Sequence, residues 1–281
     1  MALWNAFIAN PFLQMALFAG FAASLTSGVI GSYVVVKRIV FISGSIAHSV
    51  LGGMGLCLWL RRTYDLKYLS PLHGAIGAAI ASALLIGWIH LKFREREDTA
   101  IAALWSTGMS IGVIFIALTP GYNVELMNFL FGNILWVSKE DIQTLLWLAG
   151  IVIAAVALFH RKFMAICFDE ETAIVEGIAV NGLYLFLLCL IGLSVVLLIQ
   201  VVGAILVIAM LAIPAAIAGS LSKRLSRVMV HAVLLGCLFT LIGISASYGL
   251  NWPPGATIAL VAALFYLLSL IFLRKKVYSS Q

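Results

Sequence analysis

From residue 182 to residue 219 the chain is an almost unbroken apolar run, in which only Gln200 and Gly203 suggest a break near residue 201. A single helix through it would be close to ~57 Å long at 1.5 Å per residue. That is too long for one crossing of a hydrocarbon core about 30 Å thick. The run therefore divides into two spans, 182–200 and 202–219. Further stretches of crossing length lie at about 12–36, 40–60, 72–91, 99–118, 142–159, 229–248 and 254–273. Charged residues make up only 10% of the 281, and mean hydropathy is +1.13. A soluble domain needs roughly 25% charged residues, so this chain lacks the means to build a wetted surface. The alternation expected of a membrane β-barrel is absent. The sequence predicts an all-α polytopic membrane protein of about nine transmembrane helices, with residues 1–281 forming one transmembrane domain.

Basic residues test this map, because cytoplasmic loops carry an excess of Lys and Arg. If the first span runs from outside to inside, the inner segments hold Lys37, Arg38, Lys92, Arg94, Arg96, Arg161, Lys162, Lys223, Arg224, Arg227, Arg274, Lys275 and Lys276. The outer segments hold only Arg61, Arg62, Lys67 and Lys139. The reading is an N-terminus outside and a C-terminus in the cytoplasm, in a cell membrane. The first span lacks the positive leader of a cleavable signal and is expected to be retained. Between spans four and five, the apolar piece 126–137 is too short to cross and reads as a re-entrant or interfacial helix. The inner segment 160–181 is amphipathic and charged. Four scattered cysteines form no C-x-x-C pair and read as small core residues.

One span carries an ionisable residue near its middle. In "VFISGSIAHSVLGGMGLCLWL" (40–60), Gly44, Ser45, His48, Gly52 and Gly55 fall on one side of a helix, with Ser49 beside them. A histidine among small residues suits a face against protein or a water-filled cavity. The functional reading is a cation or proton site; the structural one is an interhelical hydrogen bond. His73, His90, His160 and His231 sit near span ends, where water and headgroups can satisfy them. Glu125, in the outer loop, could attract cations or simply be solvated. Asp169, Glu170, Glu171 and Glu176 read as a wet helix face or a partner surface. There is no G-x-x-x-x-G-K-[ST] phosphate loop and no H-E-x-x-H. A Ser45/His48 hydrolase pair lacks any oxyanion motif.

Five segments, in order, resemble the membrane permeases of zinc/manganese (sometimes iron) ABC importers. "VVKRIVFISGSIAHSVLGGMGLC" is similar to the family's second-span signature, and Leu130 to Leu135 to its Leu-Phe-Gly-Asn-Ile-Leu segment. Ala173 and Gly177 resemble its cytoplasmic Ala-x-x-x-Gly element. Val202, Gly203 and Pro214 to Ala216 match its Val-Gly…Pro-Ala-Ala segment, and Pro253 and Gly255 its entry into the last helix.

The resemblance implies a permease without its own cofactor or ATP site, carrying a divalent metal. The partners it implies are a second copy of the chain, two cytoplasmic ABC ATPase subunits and an extracytoplasmic metal-binding protein, all around a bilayer and with no nucleic acid. His48 becomes the expected metal stepping stone, with Ser45 and Ser49 beside it. Many relatives have an Asp four residues before this histidine; here that position is Gly44. Without the acid, imidazole leans the choice toward zinc over manganese. For ATPase coupling, segment 213–227 comes first: Pro214, Ala215 and Ala216 lead to Ser222, Lys223, Arg224 and Arg227. Asp169, Glu170, Ala173 and Gly177 form the second expected contact. A stand-alone ion-coupled transporter would normally need several intramembrane carboxylates, and the spans hold almost none. An intramembrane hydrolase is the more distant alternative.

Overall fold

A computed structural model of the protein describes residues 10–93, 97–120, 132, 134 and 138–278. The described residues form helices α1 (Pro11–Val36), α2 (Val40–Thr63), α3 (Pro71–Phe93), α4 (Glu97–Leu118), α5 (Lys139–Phe168) and α6 (Glu170–Val175). Then come α7 (Val180–Gln200), α8 (Val202–Leu221), α9 (Leu225–Leu250) and α10 (Pro254–Tyr278). All but the short α6 are long and apolar enough to cross a membrane. The protein is an all-α polytopic membrane protein.

Local chemistry fixes several of these ends. The Asn10 side chain accepts from the Phe12 N–H, and Pro11 follows as the first residue of α1, where its missing N–H costs nothing. Ser138 and Asp141 form a reciprocal capping box that starts α5. This helix runs to Phe168, so the first nine residues of the expected inner segment 160–181 continue the fifth span.

The long apolar run is two helices. Gly203 has φ 77° and ψ 162°, a conformation outside any helix. Its neighbours show a full reversal. Tyr184 lies beside Lys37 at one end of α1, with Nζ 5.9 Å from the ring centroid. Leu211, 27 residues further on, has its backbone against Gly31, six residues from Lys37. A straight helix would separate residues 184 and 211 by about 40 Å. The chain therefore rises in α7, turns at Gly203 and returns in α8. The turn is covered by the backbone of Gly132, itself at φ 69°. Most of the expected re-entrant helix 126–137 lies outside the described residues, as does Glu125. Ile134, which is described, is buried near Gly20.

The α7–α8 hairpin forms the centre of the bundle. Helices α1, α3, α5, α9 and α10 pack around it, and α2 joins it to α4. Lys37, Arg161, Lys162, Lys223, Arg224 and Arg227 share one end of the bundle. The linkage of α1 to α5 and of α5 to α9 at that end makes this clear. Arg62 lies at the other end, donating to the Pro120 carbonyl at 3.1 Å.

Candidate metal pathway

Glycines allow α2 to approach both of its neighbours at backbone distance. A Cβ on Gly52 would lie 2.9 Å from the Gly108 carbonyl oxygen, and one on Gly55 would lie 2.8 Å from that of Gly112. Gly53 and Gly74 meet in the same way between α2 and α3. Small residues give helices van der Waals contact that larger side chains would prevent. Gly52 and Gly55 thus lie at the close contact of α2 with α4; their partners Gly108 and Gly112 gave no signal beyond ordinary glycines in a span.

The serines beside the histidine secure the same contact. The Ser45 hydroxyl donates to the Ile101 carbonyl at 3.0 Å. Ser49 lies 2.9 Å from the Ser45 carbonyl and 3.2 Å from that of Leu104, and so also bridges to α4. Both side chains are buried. Their hydroxyl protons are committed to helix carbonyls, leaving only oxygen lone pairs for any other partner.

His48 differs from every other described histidine. Its imidazole stacks on the indole of Trp105 in α4, with centroids 4.4 Å apart and planes 17° from parallel. Its Nδ1 is buried and has no hydrogen-bond partner. A polar atom is costly to bury unpaired, and among the described residues this nitrogen is the side-chain atom so placed. By contrast, His160 Nδ1 is bonded to the Tyr33 hydroxyl at 2.6 Å, and His73 Nδ1 accepts from the Ser70 N–H at 3.1 Å. His231 Nδ1 is 3.5 Å from Ser222 Oγ. Protein groups, rather than headgroups alone, serve these residues. His48 also sits nearer one end than the sequence map placed it, about 12 Å along α2 from Val40 by helix rise.

The position of the absent acid is buried between α4 and α8. A Cβ on Gly44 would meet Ile208 Cδ1 and Trp105 Cζ3, each at 3.4 Å. Both are side-chain atoms at ordinary contact distance. Among the described residues, no group of three or more His, Cys, Asp or Glu could hold a metal ion. The outer side of α4 carries Ser106, Thr107 and Ser110, all exposed on a membrane span.

The two groups expected to meet an ATPase differ in form. Segment 213–227 is not a separate helix: α8 continues through the buried Pro214 and Ala215 to Leu221, Ser222 to Arg224 form a short link, and α9 begins at Leu225. Residues 169–178, in contrast, make a self-contained helical turn. Asp169 caps α6, accepting from the Thr172 N–H at 3.0 Å and the Thr172 hydroxyl at 2.6 Å. These bonds hold its carboxyl below the usual range. At the other end Gly177, at φ 76°, donates to Ile174 and Ile178 donates to Ala173, both at 3.0 Å. This is a Schellman closure, which needs a residue in the left-handed region. Ala173 is the buried residue of α6, while Phe168, Ile174 and Val175 are 62%, 62% and 87% exposed. The Ala-x-x-x-Gly spacing thus has a physical meaning: a small contact to the body, then a glycine turn.

A bundle of nine candidate spans, holding one unpaired imidazole on a glycine-packed helix pair and displaying a capped apolar turn, has the makings of a membrane permease. The sequence profile of the ABC 3 transport family matches residues 9–273, and the chain belongs to that family. It is 46% identical over 264 residues to a "Probable metal transport system membrane protein" of Chlamydia trachomatis, covering 94% of this chain and 90% of the relative. It is 36% identical over 268 residues to the manganese transport system membrane protein MntC of Listeria monocytogenes, covering 94% and 92%. Its fold superposes on a chain of PsaBC from Streptococcus pneumoniae, solved in complex with Fab, with TM-score 0.84 and 28% identity over 95% of this chain and 94% of that one. It is a metal ABC transporter permease.

Proposed function

We propose that this chain, paired with a second copy, carries a divalent transition metal into the cytoplasm past His48, driven by ATPase subunits bound at its basic end. The observation that carries the pathway is the buried, unpartnered Nδ1 of His48, stacked beside a helix whose other side exposes three hydroxyls. Lipid is a poor neighbour for Ser106, Thr107 and Ser110 together. A second copy across an aqueous path is a better one. The basic end is cytoplasmic by the positive-inside rule. An extracytoplasmic metal-binding protein would then deliver ions to the opposite end. One imidazole binds weakly enough to release, as conduction requires.

For the ATPase, α6 is the better contact. Its apolar side chains are exposed beyond the body, whereas segment 213–227 is built into the bundle through α8 and α9. Val175→Asp should abolish ATPase co-purification, while charge reversal at Arg224 should weaken it less. The missing acid at Gly44 favours zinc on grounds of ligand softness; the likeness to a relative named for manganese favours manganese. Uptake of zinc, manganese and iron by the reconstituted complex, with wild-type chain and with His48→Ala, tests the pathway and ranks the metals. The variant should insert and assemble but move no metal; wild-type uptake by it would sink the reading.

A further inference from the structure

The structure assigns to Lys37 the role of a positioning residue that joins the ATPase-facing α6 to the transport core. Lys37 ends α1, its N–H donating to the Tyr33 carbonyl at 2.9 Å. Its side chain turns back into the bundle and is only 16% exposed. There Nζ donates to the Ile166 carbonyl at 2.9 Å, in the last turn of α5, and also pairs with Oε1 of Glu170, the first residue of α6. One ammonium group thus satisfies an end carbonyl of one helix and grips the start of the next.

The α1 end that Lys37 grips from is itself anchored. One turn earlier, the fully buried Tyr33 is hydrogen-bonded to His160 of α5, whose Nε2 is 3.4 Å from Ser226 Oγ in the first turn of α9. Higher up, α1 meets the other helices with little slack. A Cβ on Gly28 would fall 2.6 Å from Val233 Cγ2, and Gly31 lies directly against Leu211. A movement applied to α6 through its exposed Ile174 and Val175 therefore reaches α1, and through it α8 and α9.

Besides its chain links to α5 and α7, α6 has one buried side chain, Ala173, and its main contacts are with α5 and the α7–α8 hairpin. Glu170 is 43% exposed, and a pair so placed adds little to stability. The consequence of the contact is geometric: it decides whether α6 and α1 move as one.

This assignment rests on α6 being the ATPase contact, so the experiment separates the two. Complexes carrying K37M, K37R, E170A, the double K37M/E170A and V175D are reconstituted in vesicles. ATPase co-purification and manganese or zinc moved per ATP hydrolysed are measured for each. K37M and E170A should keep the ATPase bound yet lower metal per ATP by about fivefold or more. K37R, which can make both bonds, should retain the wild-type ratio, and the double variant should be no worse than K37M alone. A wild-type ratio in K37M, or losses that multiply in the double variant, overturns the assignment. Should K37M fail to assemble, E170A decides by the same ratio, since it removes the acceptor and leaves the bond to Ile166 in place. Normal co-purification of V175D would instead overturn the docking reading, and this assignment with it.

Discussion

The imidazole of His48 lies flat on the indole of Trp105, ring centroids 4.4 Å apart, while the buried Nδ1 has no partner. A stack of this kind holds a ring in one orientation without using either nitrogen. The geometry therefore restricts the rotamers of the ring. Trp105→Leu removes the platform and leaves the imidazole free to turn. Metal uptake at fixed complex concentration should fall about tenfold, a cost near 1.4 kcal/mol. Trp105→Phe, which keeps an aromatic face, should fall less. Equal uptake in wild type and Trp105→Leu would show that the stack does not position the ligand.

Gly44 stands one helical turn before His48, with room for a Cβ between Trp105 and Ile208. Gly44→Asp should place an oxygen ligand one turn from the imidazole, its carboxylate displacing the Trp105 and Ile208 side chains that its Cβ would already touch. Two ligands bind more tightly than one, and a conduit that binds tightly releases slowly. We expect the purified variant to retain about tenfold more manganese after desalting while its steady uptake falls. Measuring retained metal alongside uptake distinguishes this from simple misfolding, which lowers both.

The glycine contacts make opposite predictions at two positions. A Cβ on Gly108 would lie 2.6 Å from the Ser49 Cα, so Gly108→Ala must part α2 from α4 and strain the Ser49–Leu104 hydrogen bond. Overpacking of this sort costs roughly 1–3 kcal/mol. A Cβ on Gly150 in α5 would meet nothing within 4 Å. There alanine brings only its better helix propensity, up to about 1 kcal/mol. Thermal unfolding in detergent should show a lower Tm for Gly108→Ala and an unchanged or higher one for Gly150→Ala.

What could be read from the sequence follows from what each signal depends on. Span number and class were legible because hydrocarbon imposes length and composition locally, residue by residue. The break near Gln200 and Gly203 was legible for the same reason. The fifth span was drawn short, because His160, Arg161 and Lys162 read as the end of an apolar run although the backbone continues helical through them to Phe168. His48 was legible as an ionisable group in an apolar span. Trp105 was not, since a tryptophan in a membrane helix is unremarkable until its neighbour is known. The Lys37–Glu170 pair was hidden for another reason. Its members are 133 positions apart, and each already had a sufficient local reading, one as an inner basic residue and the other as a wet helix face. In segment 213–227, Pro214 read as a break in the span. In the fold that proline is carried within α8, whose helix continues past it.

Gln200 and Gly203 were equal candidates for the turn between α7 and α8, and the structure separates them. Gln200 is an exposed helical residue. Gly203 has φ 77° and ψ 162°, a region open essentially to glycine alone and costing other residues about 1–3 kcal/mol. Relaxing that strain would mean moving the turn, yet Val202 is buried and the Gly132 backbone lies directly on it. Gly203→Ala should therefore lower Tm and the yield of assembled protein in membranes, whereas Gln200→Ala should leave both unchanged. The loss should extend to Gly132→Ala, because a methyl there would lie 2.6 Å from the Gly203 nitrogen and must displace the turn. A stable, fully assembled Gly203→Ala protein would mean that the reversal of α7 into α8 does not depend on that conformation.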